Sequence, residues 1–230
     1  MATPILDPAR LQQPDTVCAT EPFRFVVAHG QLTDAMRDAL LADFPRYRGA
    51  GFFPFDAADC GPSVRQLVAE ATSPAFAAAL GERLGLPDLA QHPTLVTLCR
   101  SLNRRHGTIH TDSKSKLATA LIYLSADWPH GSAGALRFLA EPDRIDARVG
   151  PELPPVYGNL AAFRRSDNSY HGHLPFEGER PVVQVAWLAS AEDLARKQRR
   201  GRFSRALKAL VGRLDAWWGA RRHRDAAHRD

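Results

Sequence analysis

Apolar positions along the chain follow two different periods, and the change between them divides it. After a strand-like run at 22–30, the segment DAMRDALLADF places Met36, Leu40, Leu41 and Phe44 at helical spacing, with Thr33 as its cap and Pro45 as its stop. A loop rich in glycine and aromatic residues follows at 46–61. SVRQLVAEA (63–71) reads as a short helix. Ser73 caps a further one, with Pro74 at its first position and Phe76, Leu80 and Leu84 along one face. From residue 93 the period drops to two. PTLVTLCRSL (93–102), LATALIYLSAD (117–127), GALRFLA (134–140), NLAAFRRS (159–166) and PVVQVAWLA (181–189) read as strands punctuated by glycine and proline. Helical spacing returns at ASAEDLARKQRR and at FSRALKALVGRLDAWWG, where Phe203, Leu207, Leu210, Leu214 and Trp217 share a face. The last ten residues read as a frayed polar tail. Helices followed by many short strands predict an α+β fold with a sandwich- or barrel-like sheet core. The pattern forms one domain over 1–230: helical support at 30–90, a core at about 93–189 and C-terminal helices at 190–220.

Composition sharpens this picture in three ways. With 230 residues, 44% of them hydrophobic, the chain can bury a sizeable core. Its three cysteines, Cys18, Cys60 and Cys99, are far apart and form no CxxC, which argues against a disulfide framework or a zinc knuckle and for a reducing compartment. The N-terminus lacks a basic stretch followed by an apolar run, and no apolar stretch approaches eighteen residues. A signal peptide and a membrane span are therefore not expected, and a cytoplasmic location is. The net charge of +5 is unevenly spread. Residues 196–230 hold twelve Lys/Arg and three Asp, a net of +9, which leaves −4 for the first 195. A mildly acidic body with a basic end is weak support for nucleic-acid binding, and no nucleic-acid motif occurs. The basic segment suits a helix that covers the core, a homodimer contact or an acidic partner; the first leads, because arginine stems readily lie over apolar area.

The chemistry concentrates in two stretches. In RRHGTIHTDSKSK, His110 and Asp112 are separated by one residue, so an extended backbone points both to the same side. About sixty residues on, His171 lies between two strands, where a sheet core can return it to the first pair. Two imidazoles and a carboxylate on one face of a metal ion leave open positions, the arrangement of non-haem iron(II) oxygenases. Zinc is the competing metal for such a set. Arg180 follows His171 by nine residues, at the start of a strand. A buried guanidinium there suits a bidentate grip on a carboxylate. A surface arginine beside Glu177 or Glu179 is the plainer alternative.

These motifs resemble the iron(II)/2-oxoglutarate oxygenases of the prolyl 4-hydroxylase-like branch. The resemblance is specific over 93–189 and looser over the preceding helices; HGTIHTDSKSK, LPPVYGNLAAF and FRRSDNSYHGH are similar to a bacterial subgroup of unassigned substrate. It implies a double-stranded β-helix, the jelly-roll or cupin-like core. It further implies that His110, Asp112 and His171 hold Fe(2+), with 2-oxoglutarate and O2 as co-substrates, and that Arg180 grips the distal carboxylate. Tyr123, in YLSADW, corresponds to the family's tyrosine partner of that carboxylate. Arg100, on a strand expected beside the site, is a further candidate. The implied activity is hydroxylation of an unactivated C–H bond with release of succinate and CO2. Ala133–Gly134 and Ser125 depart from the family's double glycine and asparagine, and bear on substrate class. The substrate expected is a small molecule or metabolite, with a protein side chain or glycan also open. A metal-dependent hydrolase and a non-catalytic metal-binding module remain the alternatives.

His106, His173 and Arg165 lie near these residues, His173 on the same face as His171 by alternation. Lys114 and Lys116 flank the site as solvated charges. Trp128, Trp187, Phe138 and Phe163 read as core.

Overall fold

The computed structural model describes residues 3–199. The helix expected over FSRALKALVGRLDAWWG, with Phe203, Leu207, Leu210, Leu214 and Trp217, and the polar tail after it lie outside the described residues. Helix α1 spans Arg37–Asp43, α2 Pro62–Ala71 and α3 Pro74–Leu84. Residues 191–199 are also helical. The strands are β1 (Val17–Ala19), β2 (Phe25–Ala28), β3 (Phe52–Pro54), β4 (Thr94–Leu102), β5 (Lys116–Tyr123), β6 (Arg137–Leu139), β7 (Leu160–Arg164), β8 (Tyr170–Gly172) and β9 (Gly178–Leu188).

Local chemistry accounts for most of these boundaries. The Ser73 hydroxyl accepts the Phe76 N–H, Pro74 follows at the first helical position, and Gly85 closes α3 at φ 65. Thr33 behaves differently from the expectation. Its hydroxyl donates to the Pro4 carbonyl at 2.8 Å and caps no helical N–H. The chain passes through a 3-10 turn at Asp34–Met36 before α1 begins.

Seven strands form an antiparallel sheet in the order β1-β2-β7-β5-β9-β4-β3, and β6 pairs with β8 in a second, smaller sheet. Isolated bridges, among them His110↔His171 and Leu136↔Leu153, extend the smaller sheet into the loops around it. The core sheet thus takes β3 from the part of the chain read as helical support, and β1 and β2 from before it, β2 within the strand-like run at 22–30.

Alternation sorts the large sheet into two buried faces. Val26, Ala28, Ala118, Ala120, Ile122, Leu160, Ala162, Val183, Val185 and Trp187 face outward and pack with Val64, Leu67, Phe76 and Leu80 of α2 and α3. Phe25, Val27, Cys99, Leu121, Tyr123, Ala161, Phe163 and Val182 face inward, toward Phe138 of the smaller sheet. Burial on both faces explains why β5 and β9 are apolar almost throughout. Two sheets closing over an inner layer make the jelly-roll, and its inner face carries the site.

Candidate active site

His110 and His171 belong to the edge of the smaller sheet. Each donates its backbone N–H to the other's carbonyl, at 3.1 and 3.0 Å. Such a pair faces its side chains the same way, and the imidazole centroids lie 4.4 Å apart. Asp112, two residues along the extended segment, joins them on that side. One ligand atom from each of His110, Asp112 and His171 lies within 4.8 Å of the other two.

Hydrogen bonds fix the chemical form of both imidazoles. His110 Nδ1 donates to the Thr108 carbonyl at 2.7 Å, and His171 Nδ1 donates to the Ser169 carbonyl at 3.0 Å. A carbonyl can only accept, so each Nδ1 carries the proton and each Nε2 keeps its lone pair for a metal. Burial, which Asp112 opposes and His110 reinforces, pushes the His171 pKa down to about 4. Phe163 packs on the His171 ring with centroids 4.3 Å apart. His171 is therefore a neutral nitrogen donor at ordinary pH.

Asp112 is held as a carboxylate. Burial alone would raise its pKa, but the Lys116 ammonium, His171 and hydrogen bonds from Lys116 and Thr119 outweigh it and hold the group below its ordinary value. Lys116 Nζ donates to Oδ1 at 2.8 Å and the Thr119 hydroxyl to Oδ2 at 2.5 Å. Arg165 pins the backbone by donating from Nε to the Asp112 carbonyl at 3.2 Å, while its other end pairs with Asp167.

Thr119, Leu121 and Tyr123 share the inner face of β5. Thr119 touches the triad; Tyr123, four residues on and roughly 13 Å along the strand, touches Arg180 instead. The Arg180 side chain donates from Nε to the Gly134 carbonyl at 2.8 Å and from Nη2 to the Tyr123 hydroxyl at 3.3 Å. Its guanidinium also lies 4.9 Å over the Tyr123 ring. Arg180 is only 3% exposed, yet no carboxylate among the described residues lies in ion-pair contact with it. Buried cations normally have an anionic partner, so Arg180 could hold an anion. Gly134, whose carbonyl accepts from Arg180, has no room for a side chain: its φ is +73, and a Cβ there would meet Trp128 at 2.9 Å and Phe176 at 3.0 Å.

His173 shares the face of His171. Its Nδ1 donates to the Leu174 carbonyl at 2.8 Å, and burial with the nearby Arg180 charge lowers its pKa to about 4. Its ring lies against Gly107, where an added Cβ would stand 2.0 Å from Nε2.

The structure does not bring Arg100 to this face. A register shift between Cys99 and Ser101 interrupts β4. Arg100 donates to Glu179 at 3.1 Å and to the Phe44 carbonyl at 3.4 Å, on the helical side. Lys116, expected to be solvated, is instead buried against Asp112, with its side chain 11% exposed. Lys116 and Thr119 are the site-supporting residues that sequence reading passed over; the available signal was a lysine four residues and a threonine seven residues after the aspartate. Phe138, Phe163 and Trp187 are buried core residues, as read.

Fold and site together describe a jelly-roll with a two-histidine, one-carboxylate cluster at one end of its inner face and a buried guanidinium at the other. No family model matches the chain, and no curated protein does. Among solved structures, a prolyl 4-hydroxylase from Pseudomonas putida superposes with a TM-score of 0.54 at 20% identity, covering 74% of this chain and 95% of that one. A prolyl hydroxylase from Trichoplax adhaerens, solved with a hypoxia inducible factor oxygen degradation domain peptide fragment, gives a TM-score of 0.50 at 14% identity over 74% and 86%. The chain therefore has the fold of the prolyl 4-hydroxylases. No helix among the described residues is long and apolar enough to cross a membrane.

Proposed function

We propose that this protein is an iron(II)- and 2-oxoglutarate-dependent oxygenase that hydroxylates an unactivated C–H bond of a small molecule. The observation that carries the proposal is the pairing of a metal-competent His110, Asp112, His171 cluster with a buried Arg180 on the same inner face that has no ion-pair partner among the described residues.

The residues present fit both groups. Two neutral imidazole nitrogens and one carboxylate suit a redox-active divalent iron and leave coordination positions for other ligands. Iron and 2-oxoglutarate, when bound, supply dioxygen activation coupled to oxidative decarboxylation, with succinate and CO2 as products. The protein's part is to bind, orient and exclude water. The Thr108 and Ser169 carbonyls hold the two imidazoles in the ligating tautomer. Thr119 and Lys116 aim the Asp112 carboxylate. Arg180 binds the distal carboxylate of the co-substrate, and the Tyr123 hydroxyl contributes a second contact beside it. Burial pushes the Tyr123 pKa up against the opposing Arg180 charge, so the phenol stays protonated and able to donate. Leu121, Val182, Phe163 and Phe138 line the same face with apolar surface, which keeps water from the reacting groups.

Iron-dependent conversion of 2-oxoglutarate to succinate by the purified protein, without added substrate, tests this reading. Slow succinate release that His171→Ala abolishes is expected. Metal-loaded, folded protein that never consumes 2-oxoglutarate, alone or with cell-extract metabolites, would count against it.

A further inference from the structure

Asp112 is the one member of the triad with both candidate ligand atoms already engaged. Oδ2 accepts from Thr119, and Oδ1 accepts from Lys116 at 2.8 Å. Side chains of both Asp112 and Lys116 are 11% exposed, so solvent screens the pair poorly.

The backbone places this lysine deliberately. Regular alternation would put Lys116 on the outward face with Ala118. The β5–β9 register shifts between Lys116 and Ala118, and Lys116 pairs with Leu188 while Ala118 pairs with Trp187. Residues directly opposite share a face, and Leu188 has the parity of the inward Val182. The bulge therefore turns Lys116 from the helical side to the side of Asp112. A tight turn completes the placement, with the Lys116 N–H donating to the Ser113 carbonyl at 2.9 Å. Lys197 adds a second ammonium nearby, donating to Ser113 Oγ at 2.9 Å. Arg165 supplies a third cation at the Asp112 carbonyl.

We propose that Lys116 is a positioning residue that sets the metal affinity of this centre. In the metal-free protein it neutralises and aims Asp112. Toward a divalent cation it is a like charge on the same carboxylate, and it holds binding weaker than the three ligands would give alone. The inference rests on the metal reading of the site. Oδ1 keeps a second lone pair, so the ammonium need not leave for the metal to bind, and its repulsion then persists in the loaded protein. Two such charges sharing one carboxylate lower affinity by about tenfold or more even with water-like screening.

The experiment compares Mn2+ binding, followed by loss of the free-ion electron paramagnetic resonance signal, in wild type, Lys116→Met, Lys116→Gln and Lys116→Arg. Methionine keeps the apolar stem; glutamine keeps a donor for Oδ1 without charge, and stands in if the methionine variant fails to fold. Both neutral variants are expected to bind Mn2+ about tenfold or more tightly, and to be less stable to urea only when metal-free. The arginine variant should stay near wild type. Unchanged or weaker Mn2+ binding in either folded neutral variant overturns the proposal. Binding that His171→Ala leaves intact would instead overturn the metal reading itself, and the proposal with it.

Discussion

Arg180→Gln separates a ligand-binding cation from a structural one. Arg180 is 3% exposed and bonded only to the Gly134 carbonyl and the Tyr123 hydroxyl among the described residues. Removing one partner of a buried, hydrogen-bonded charge pair costs roughly 2–5 kcal/mol, or about thirty- to several-thousand-fold in dissociation constant. Affinity for 2-oxoglutarate should fall by that factor, while affinity for the metal should not move. Stability of the ligand-free protein behaves oppositely. Breaking a structural buried ion pair destabilises by about 3–5 kcal/mol, because a charge is stranded. Here the groups left behind are both neutral, the Gly134 carbonyl and the Tyr123 hydroxyl, and glutamine can satisfy one of them, so the change should be within about 1 kcal/mol. Isothermal titration of 2-oxoglutarate into Ni2+-loaded protein, which cannot turn over, measures the first quantity. Urea denaturation without metal measures the second. Unchanged 2-oxoglutarate affinity joined to a loss of about 3 kcal/mol in stability would make Arg180 structural and refute the reasoning.

Other consequences are equally direct. Asp112→Ala should abolish stoichiometric divalent-metal binding while near-ultraviolet circular dichroism stays native; wild-type metal affinity in that variant would remove Asp112 from the ligand set. In metal-free protein, His171 and His173 stay neutral down to about pH 4, whereas an unfolded histidine titrates near 6.5. Their depressed pKa values make stability full above about pH 6.5 and progressively lost as pH falls toward 4, on the order of 3 kcal/mol for a single group. Urea midpoints in chelator should therefore drop across that window, less so in His173→Asn; a flat profile would contradict the burial argument. Gly107→Ala combines φ +79 with a Cβ 2.0 Å from His173 Nε2, and should cost about 1–3 kcal/mol; an unchanged melting temperature would show that the ring moves freely.

The long strands were legible because they are buried on both sides. β4, β5 and β9 carry enough β-branched and apolar residues for period and composition to agree, and their ends fell within a few residues of the expected ones. β1, β3 and β8 were not legible. Val17–Ala19, Phe52–Pro54 and Tyr170–Gly172 are three residues each, too short for alternation to register, and proline or glycine ends two of them. The cluster of His110, Asp112 and His171 was readable because spacing and resemblance needed only the sheet to bring them together. Arg100 was misplaced because lying on a strand beside the site does not set its face: Cys99 points inward, so alternation turns Arg100 outward, to the helical side. Lys116 was missed for a different reason: the bulge that turns it inward exists only in its pairing with β9 and leaves no mark in the composition of β5.

The central claim is that iron and 2-oxoglutarate meet at this centre. Its most direct test is an anaerobic titration of iron(II) and 2-oxoglutarate into the purified protein, watched by visible absorption. A weak charge-transfer band that requires both components, and that Asp112→Ala and Arg180→Gln diminish, is the predicted result. Iron-loaded, folded protein that gives no such band at saturating 2-oxoglutarate would contradict the account.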